Sequence, residues 1–116
     1  MTQDRLIEII ESLSKEIGLP KEDLFELYDT FIEEMTDEVF RIKIAYQKGN
    51  FVDLKNISHN IKGVCANMKF EEMFVEAKAL NDKMKAEDFE DLYPPIERMA
   101  AAFEGFKNAF TEYYNH

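Results

Sequence analysis

Apolar residues recur along the chain at spacings of three and four, the repeat that lays one stripe along an α-helix. No stretch alternates apolar and polar residues as a half-buried strand does, so the pattern predicts an all-α protein. The first segment starts with Thr2 as N-cap, carries Leu6, Ile9, Ile10, Leu13 and Ile17, and stops at Gly18. Gly18-Leu19-Pro20 is a break, and Pro20 suits the first turn of the next helix. The second helix is long and directs Leu24, Leu27, Tyr28, Phe31, Met35, Val39 and Ile42 toward a core before ending near Gly49. Asn50 then offers an N-cap, with Asp53 three residues on as a partner of capping-box type.

The third helix holds Leu54, Ile57, Ile61, Val64 and Met68, and the fourth holds Phe70, Met73, Phe74, Ala77, Leu80 and Met84. A turn from Asp88 to Tyr93 leads to Pro94-Pro95, which can start a fifth helix carrying Ile96, Met99, Phe103, Phe106, Phe110 and Tyr113. Short connections between long amphipathic helices favour an antiparallel up-down bundle. At 116 residues the chain has room for one core, so residues 1–116 read as one domain. Residues 1–18 are its N-terminal helix and 20–114 its bundle.

Composition narrows the function. Acidic residues number 24 against 14 basic, a formal charge of −10, which argues against nucleic acid and anionic membrane as the main ligand. Ten Phe and five Tyr in a chain that is 46% hydrophobic argue against disorder. Cys65 is a lone cysteine and cannot form an internal disulfide, and it falls within the apolar arc of the third helix, where a core role is expected. The N-terminus lacks the apolar run of a signal peptide, and no stretch approaches the ~20 apolar residues of a membrane span. A cytoplasmic protein is expected.

The chain has two histidines. His116 is the final residue and reads as a solvated tail. His59 falls nearly opposite the middle of the apolar arc of the third helix, taking about 100° per residue. Its neighbours three and four residues away, together with the next turn, are Lys55, Lys62, Gly63 and Ala66. Glycine inside a helix costs about 1 kcal/mol relative to alanine, and Gly63 lies on the exposed side, so it reads as clearance for a large partner. Between Asp53 and Lys69 one acid stands against Lys55, Lys62 and Lys69, a local +2 on a chain of −10. An accessible imidazole, a cation one turn away and room for a donor are what phosphoryl transfer asks of its acceptor.

The run Gly49-Asn-Phe-Val-Asp-Leu-Lys-Asn-Ile-Ser-His59-Asn-Ile-Lys62-Gly63 resembles the histidine-containing phosphotransfer (HPt) domain family. The hallmark is His-x-(Leu/Ile)-Lys-Gly, preceded by a small residue, here Ser58, and by an apolar residue five before the histidine, here Leu54. The resemblance covers roughly Leu24 to Tyr113 and implies a four-helix bundle, leaving the first helix as an addition. It implies that His59 is a phosphoacceptor, Lys62 its charge offset and Gly63 its clearance; Lys55 and Ala66, on the same helix face by spacing, are placed with the partner-binding residues. Many members carry a glutamine on the following helix; Asn81 stands at the matching distance, inside the apolar arc of the fourth helix, and is placed with the partner-binding residues. The implied partners are response-regulator receiver domains or a hybrid histidine kinase. No cofactor or metal is expected on this chain, Mg²⁺ being supplied by the receiver. The chain departs from the family pattern after the hallmark, where Lys69 stands in place of a helix-ending glycine; Asn67 is then the residue suited to the left-handed conformation.

No glycine-rich phosphate loop accompanies the motif, so the expected activity is that of a carrier without autonomous kinase activity. Glu-x-x-His metal pairs are absent, Asn56 and Tyr113 standing three residues before the two histidines. The competing readings are a non-catalytic bundle that binds a partner through the same face, and a phosphoacceptor module fed by a chemotaxis-type histidine kinase. A complete bundle without a visible linker favours a stand-alone carrier; the first helix can pack on the bundle, pair two chains or swing free, and its apolar stripe favours packing and a monomer.

Overall fold

Local chemistry sets the helix boundaries. The computed structural model describes residues 1–115, among which the regular elements are α1 (Gln3–Ile17), a 3-10 turn (Lys21–Leu24), α2 (Phe25–Gln47), α3 (Phe51–Asn67), α4 (Glu71–Lys85) and α5 (Tyr93–Tyr114). His116 lies outside the described residues. Thr2 Oγ1 accepts the Arg5 N–H at 3.1 Å, and Gly18 closes α1 at φ +73° with its N–H on the Ser14 carbonyl. Pro20 precedes a 3-10 turn and not the α-helix itself, which starts at Phe25. Pro94 and Pro95 open α5.

The α2–α3 connection is two caps fused. Gly49 takes φ +63° and the Asn50 N–H reaches back to the Ala45 carbonyl at 2.9 Å, while Asn50 Oδ1 accepts the Asp53 N–H at 3.0 Å. Because the Asn50 N–H is already used, Asp53 cannot return the reciprocal bond of a capping box. The Asn50 amide instead donates directly to Asp53 Oδ2 at 2.8 Å.

At the end of α3 the left-handed residue is Lys69, at φ +64°, whereas Asn67 stays helical. The Phe70 N–H bonds the Cys65 carbonyl at 3.0 Å, and both side chains are fully buried. That apolar contact across the cap fixes the turn at the residue before Phe70, which is Lys69.

Each helix packs on the next from α2 to α5, and α5 closes back on α2. This is the four-helix bundle expected, about 42 Å long. Its centre is aromatic: Phe106 lies 4.8 Å from Phe70, 5.5 Å from Phe31 and 5.7 Å from Tyr28, centroid to centroid. Tyr28 buries its ring and donates its hydroxyl to the Met68 carbonyl at 3.1 Å. Cys65 is in the core as expected, and burial pushes its thiol up to about 12.

Helix α1 packs on the bundle. Leu6, Ile9, Ile10 and Leu13 are buried, against α5 and the 3-10 turn. Polar ties fix its position: Arg5 bonds both oxygens of Glu72 at the start of α4 (2.9 and 2.8 Å), Glu16 pairs with Lys69 at 2.9 Å, and the Gln3 amide donates to the Ala109 carbonyl. The Arg5 guanidinium holds the Glu72 carboxyl below the usual carboxylate range.

Leu27 departs from the expected core, being 42% exposed. It lies on the side of α2 that faces α3, but α2 has 23 residues to the 17 of α3 and its first turn overhangs the end of its neighbour. Among the described residues no helix is long and apolar enough to cross a membrane.

Candidate functional site

The site is built on one face of α3. Leu54, Ile57, Ile61 and Cys65 point into the core, and the same pitch turns His59 outward, where it is exposed. Lys55, Gly63 and Ala66 are exposed around it and Lys62 is half-buried on the side toward α4. Neither Lys55 nor Lys62 belongs to an ion pair among the described residues. Lys69 does not add to this charge, because its ammonium is spent on Glu16 at the far end of α3. The free cations beside His59 are therefore Lys55 and Lys62.

A Cβ built on Gly63 would meet nothing within 4 Å. The chain's own packing therefore gives no reason for glycine here, and the bare backbone leaves open space beside the imidazole. Ala66 lies at the mouth of a cleft between α1 and α3 that Arg5, Ser12 and Lys69 also line. On the α4 side, the Lys78 ammonium holds the Asp82 carboxyl below its usual range, with Lys85 and Lys62 adding at longer reach.

Asn81, expected among the partner-binding residues, does not lie on the exposed face of α3. It is fully buried between α4 and α3, with no surface to offer a partner. Its Nδ2 donates to the Lys55 carbonyl at 3.0 Å and to Ser58 Oγ at 3.2 Å, and Ser58 Oγ itself donates to the Lys55 carbonyl at 3.1 Å. Helical pairing also sends the His59 N–H to that carbonyl, four residues back. Asn81 thus grips the backbone beneath His59 and not the ring. Its Oδ1 is buried without a partner.

A second polar tie was not singled out by the sequence reading. Glu38 is a buried carboxylate on α2 that accepts from Asn60 at 3.0 Å and from Arg41 at 2.6 Å. It pins α2 to α3 beside His59. The signal was present, since Glu38 continues the spacing of Met35 and Ile42 on the apolar stripe, where a charged residue needs partners.

An exposed imidazole with free lysines on its face and a glycine opening beside it can take a group from a large donor. The sequence model of the Hpt domain family matches residues 26–109, including all of α3 and α4. The chain belongs to the Hpt domain family. Hpt domains serve histidine phosphotransfer in phosphorelays and interact with receiver domains and kinases. Neither the search of curated proteins nor that of solved structures gave a match. Helix α1 lies outside the Hpt match, although its apolar side is part of the core.

Proposed function

We propose that this Hpt domain accepts a phosphoryl group on His59 from a receiver-domain aspartate and passes it to a second receiver. The observation that carries the reading is Gly63, a mid-helix glycine that the chain's own packing does not require, one turn from an exposed histidine. In the forward step the unprotonated ring nitrogen of His59 attacks phosphorus in line. The N–P bond forms as the aspartyl O–P bond breaks, and the carboxylate remains on the receiver, which supplies the Mg²⁺. Lys62 offsets the charge arriving on the ring, Gly63 admits the receiver, and Lys55 and Ala66 lie under its edge. Asn81 acts from beneath by holding the turn that carries His59. The contact has to be modest in area and short-lived, because a carrier leaves one partner to reach the next.

The test is acceptor labelling. The chain and His59→Gln are mixed with a panel of receiver domains charged from a radiolabelled small phosphodonor. Acid-labile, alkali-stable label on the wild type and none on the variant is expected. Label retained on a histidine of the variant would refute the site, and no label from any receiver would refute the relay reading.

A further inference from the structure

The surface leading away from His59 is asymmetric. Val52 stands two turns before His59 on the same line of α3, roughly 10 Å along the axis, and is 70% exposed. Next to it Phe51 stacks on Phe89 from the α4–α5 connection, with centroids 4.1 Å apart and the rings within 13° of parallel. Both rings keep a large part of their surface in water. At the same distance on the other side of His59 the line carries only Ala66.

The α4–α5 connection gives Phe89 no reason of its own to be apolar. Its neighbours are Glu87, Asp88, Glu90 and Asp91, and Lys83 holds the loop by bonding Asp88 at 3.1 Å and the Glu90 carbonyl at 3.0 Å. Stacking then fixes the loop against α3 and makes Val52, Phe51 and Phe89 a preformed apolar ledge. Aromatic surface that is already ordered loses little entropy on binding, which is the character of an interface anchor. In order along the face come an acidic loop, the apolar ledge, the free Lys55, His59 and Lys62.

We infer that this ledge is the anchor by which the domain selects its receiver. The inference rests on the reading of His59 as phosphoacceptor and names the docking element of that same site. A footprint of even about 600 Å² per side, centred on the reacting nitrogen, has a radius of about 14 Å and must cover Val52. The receiver therefore sets its anionic phosphoaspartate mouth over Lys55 and Lys62, and an apolar patch edged with basic residues on the ledge beneath the acidic loop. With bulk on one side of His59 and none on the other, the ledge also fixes which way round the receiver lies. A second copy seated on the ledge would cover His59 and close the site.

The experiment uses the full chain and the receiver that labels it fastest, with KM and kcat measured for wild type, Phe89→Ser, Val52→Ser and the double variant. Phe40→Ser removes another exposed ring, from the groove between α2 and α5, and serves as the control. Labelling by phosphoramidate, which needs no docking, of wild type but not of His59→Gln establishes separately that His59 is reactive, the chain's other histidine being His116. The double variant should raise KM about tenfold or more with kcat within about twofold, as loss of a binding anchor does. Phe40→Ser should leave both unchanged. Transfer with an unaltered KM in the double variant would overturn the ledge while leaving the relay reading intact. Labelling of wild type by phosphoramidate but by no receiver would overturn both. Sedimentation showing a wild-type dimer that the double variant dissolves would assign the ledge to self-association and overturn the inference.

Discussion

The grip of Asn81 on α3 can be tested by a pair of substitutions that nearly preserve its shape. Asn81→Asp replaces the donating amide by an oxygen facing the Lys55 carbonyl, which stands 3.0 Å from Nδ2 in the native chain. The two donated hydrogen bonds are lost, at about 1 kcal/mol each, and a carboxylate is left buried against the Lys55 carbonyl, so the cost at neutral pH should reach about 3–5 kcal/mol. Asn81→Leu loses the same two bonds, worth about 2 kcal/mol, but removes the unpartnered Oδ1, whose burial costs about 1–3 kcal/mol. The Lys55 carbonyl keeps its bond from Ser58, so the leucine variant should lie within about 1 kcal/mol of wild type. With a urea slope of about 1–3 kcal/mol/M, the two variants should differ in midpoint by about 1 M or more. Burial raises the pKa of the introduced carboxyl above its unfolded value near 4, so the aspartate penalty should be smallest below about pH 4 and grow as pH rises. Equal midpoints at pH 7 would refute the burial of this side chain against the Lys55 carbonyl, since a carboxylate there would then cost no more than a leucine. With the fold retained, Asn81→Leu should still speed amide exchange at His59 and lower kcat for transfer at unchanged KM.

Gly63→Ala should stabilise the fold by about 1 kcal/mol, since the added methyl meets nothing within the chain, while slowing transfer from a receiver; a faster or equal rate would remove the case for clearance. At Lys69, alanine keeps the left-handed backbone and loses the Glu16 pair, whereas glycine also relieves the backbone. Lys69→Gly should therefore be more stable than Lys69→Ala by about 1 kcal/mol in thermal or urea unfolding, and an inverted order would refute the strained cap. Acid should loosen α1, because the Glu72 carboxyl is held below its usual value of 4.5 by Arg5 and the stability it lends is lost as pH falls through its folded pKa. Glu72→Gln should flatten urea stability between pH 3 and 6, and an unchanged slope would show that the pair does not couple α1 to the rest.

The helices were legible because each carries its own stripe and its own end signals, as Thr2, Gly18, Asn50 and Pro94-Pro95 show. The candidate site at His59, Lys62 and Gly63 stands out for the opposite reason, as residues that break the expected economy of a helix face. What sequence could not supply was the identity of partners across helices. Asn81 and Glu38 stand out as polar residues on apolar stripes, but only packing decides that one meets a carbonyl and the other meets Asn60 and Arg41. Leu27 fits the stripe of α2 and fails for want of a neighbour, a matter of relative helix length that local periodicity does not encode. Asn67 has the better left-handed propensity, yet burial of Phe70 against Cys65 places the turn at Lys69.

The position of α1 separates two meanings of a domain. The stretch recognisable by descent spans residues 26–109, while the stretch that melts as one should reach back to Leu6. A fragment trimmed to the recognisable limits would bare the surface that Leu6, Ile9, Ile10 and Leu13 now shield, and in water it would behave as a sticky, half-assembled body. Grafting such a fragment onto another signalling protein would carry over the transfer chemistry without the means to stay soluble. The portable unit of this relay component is larger than its signature.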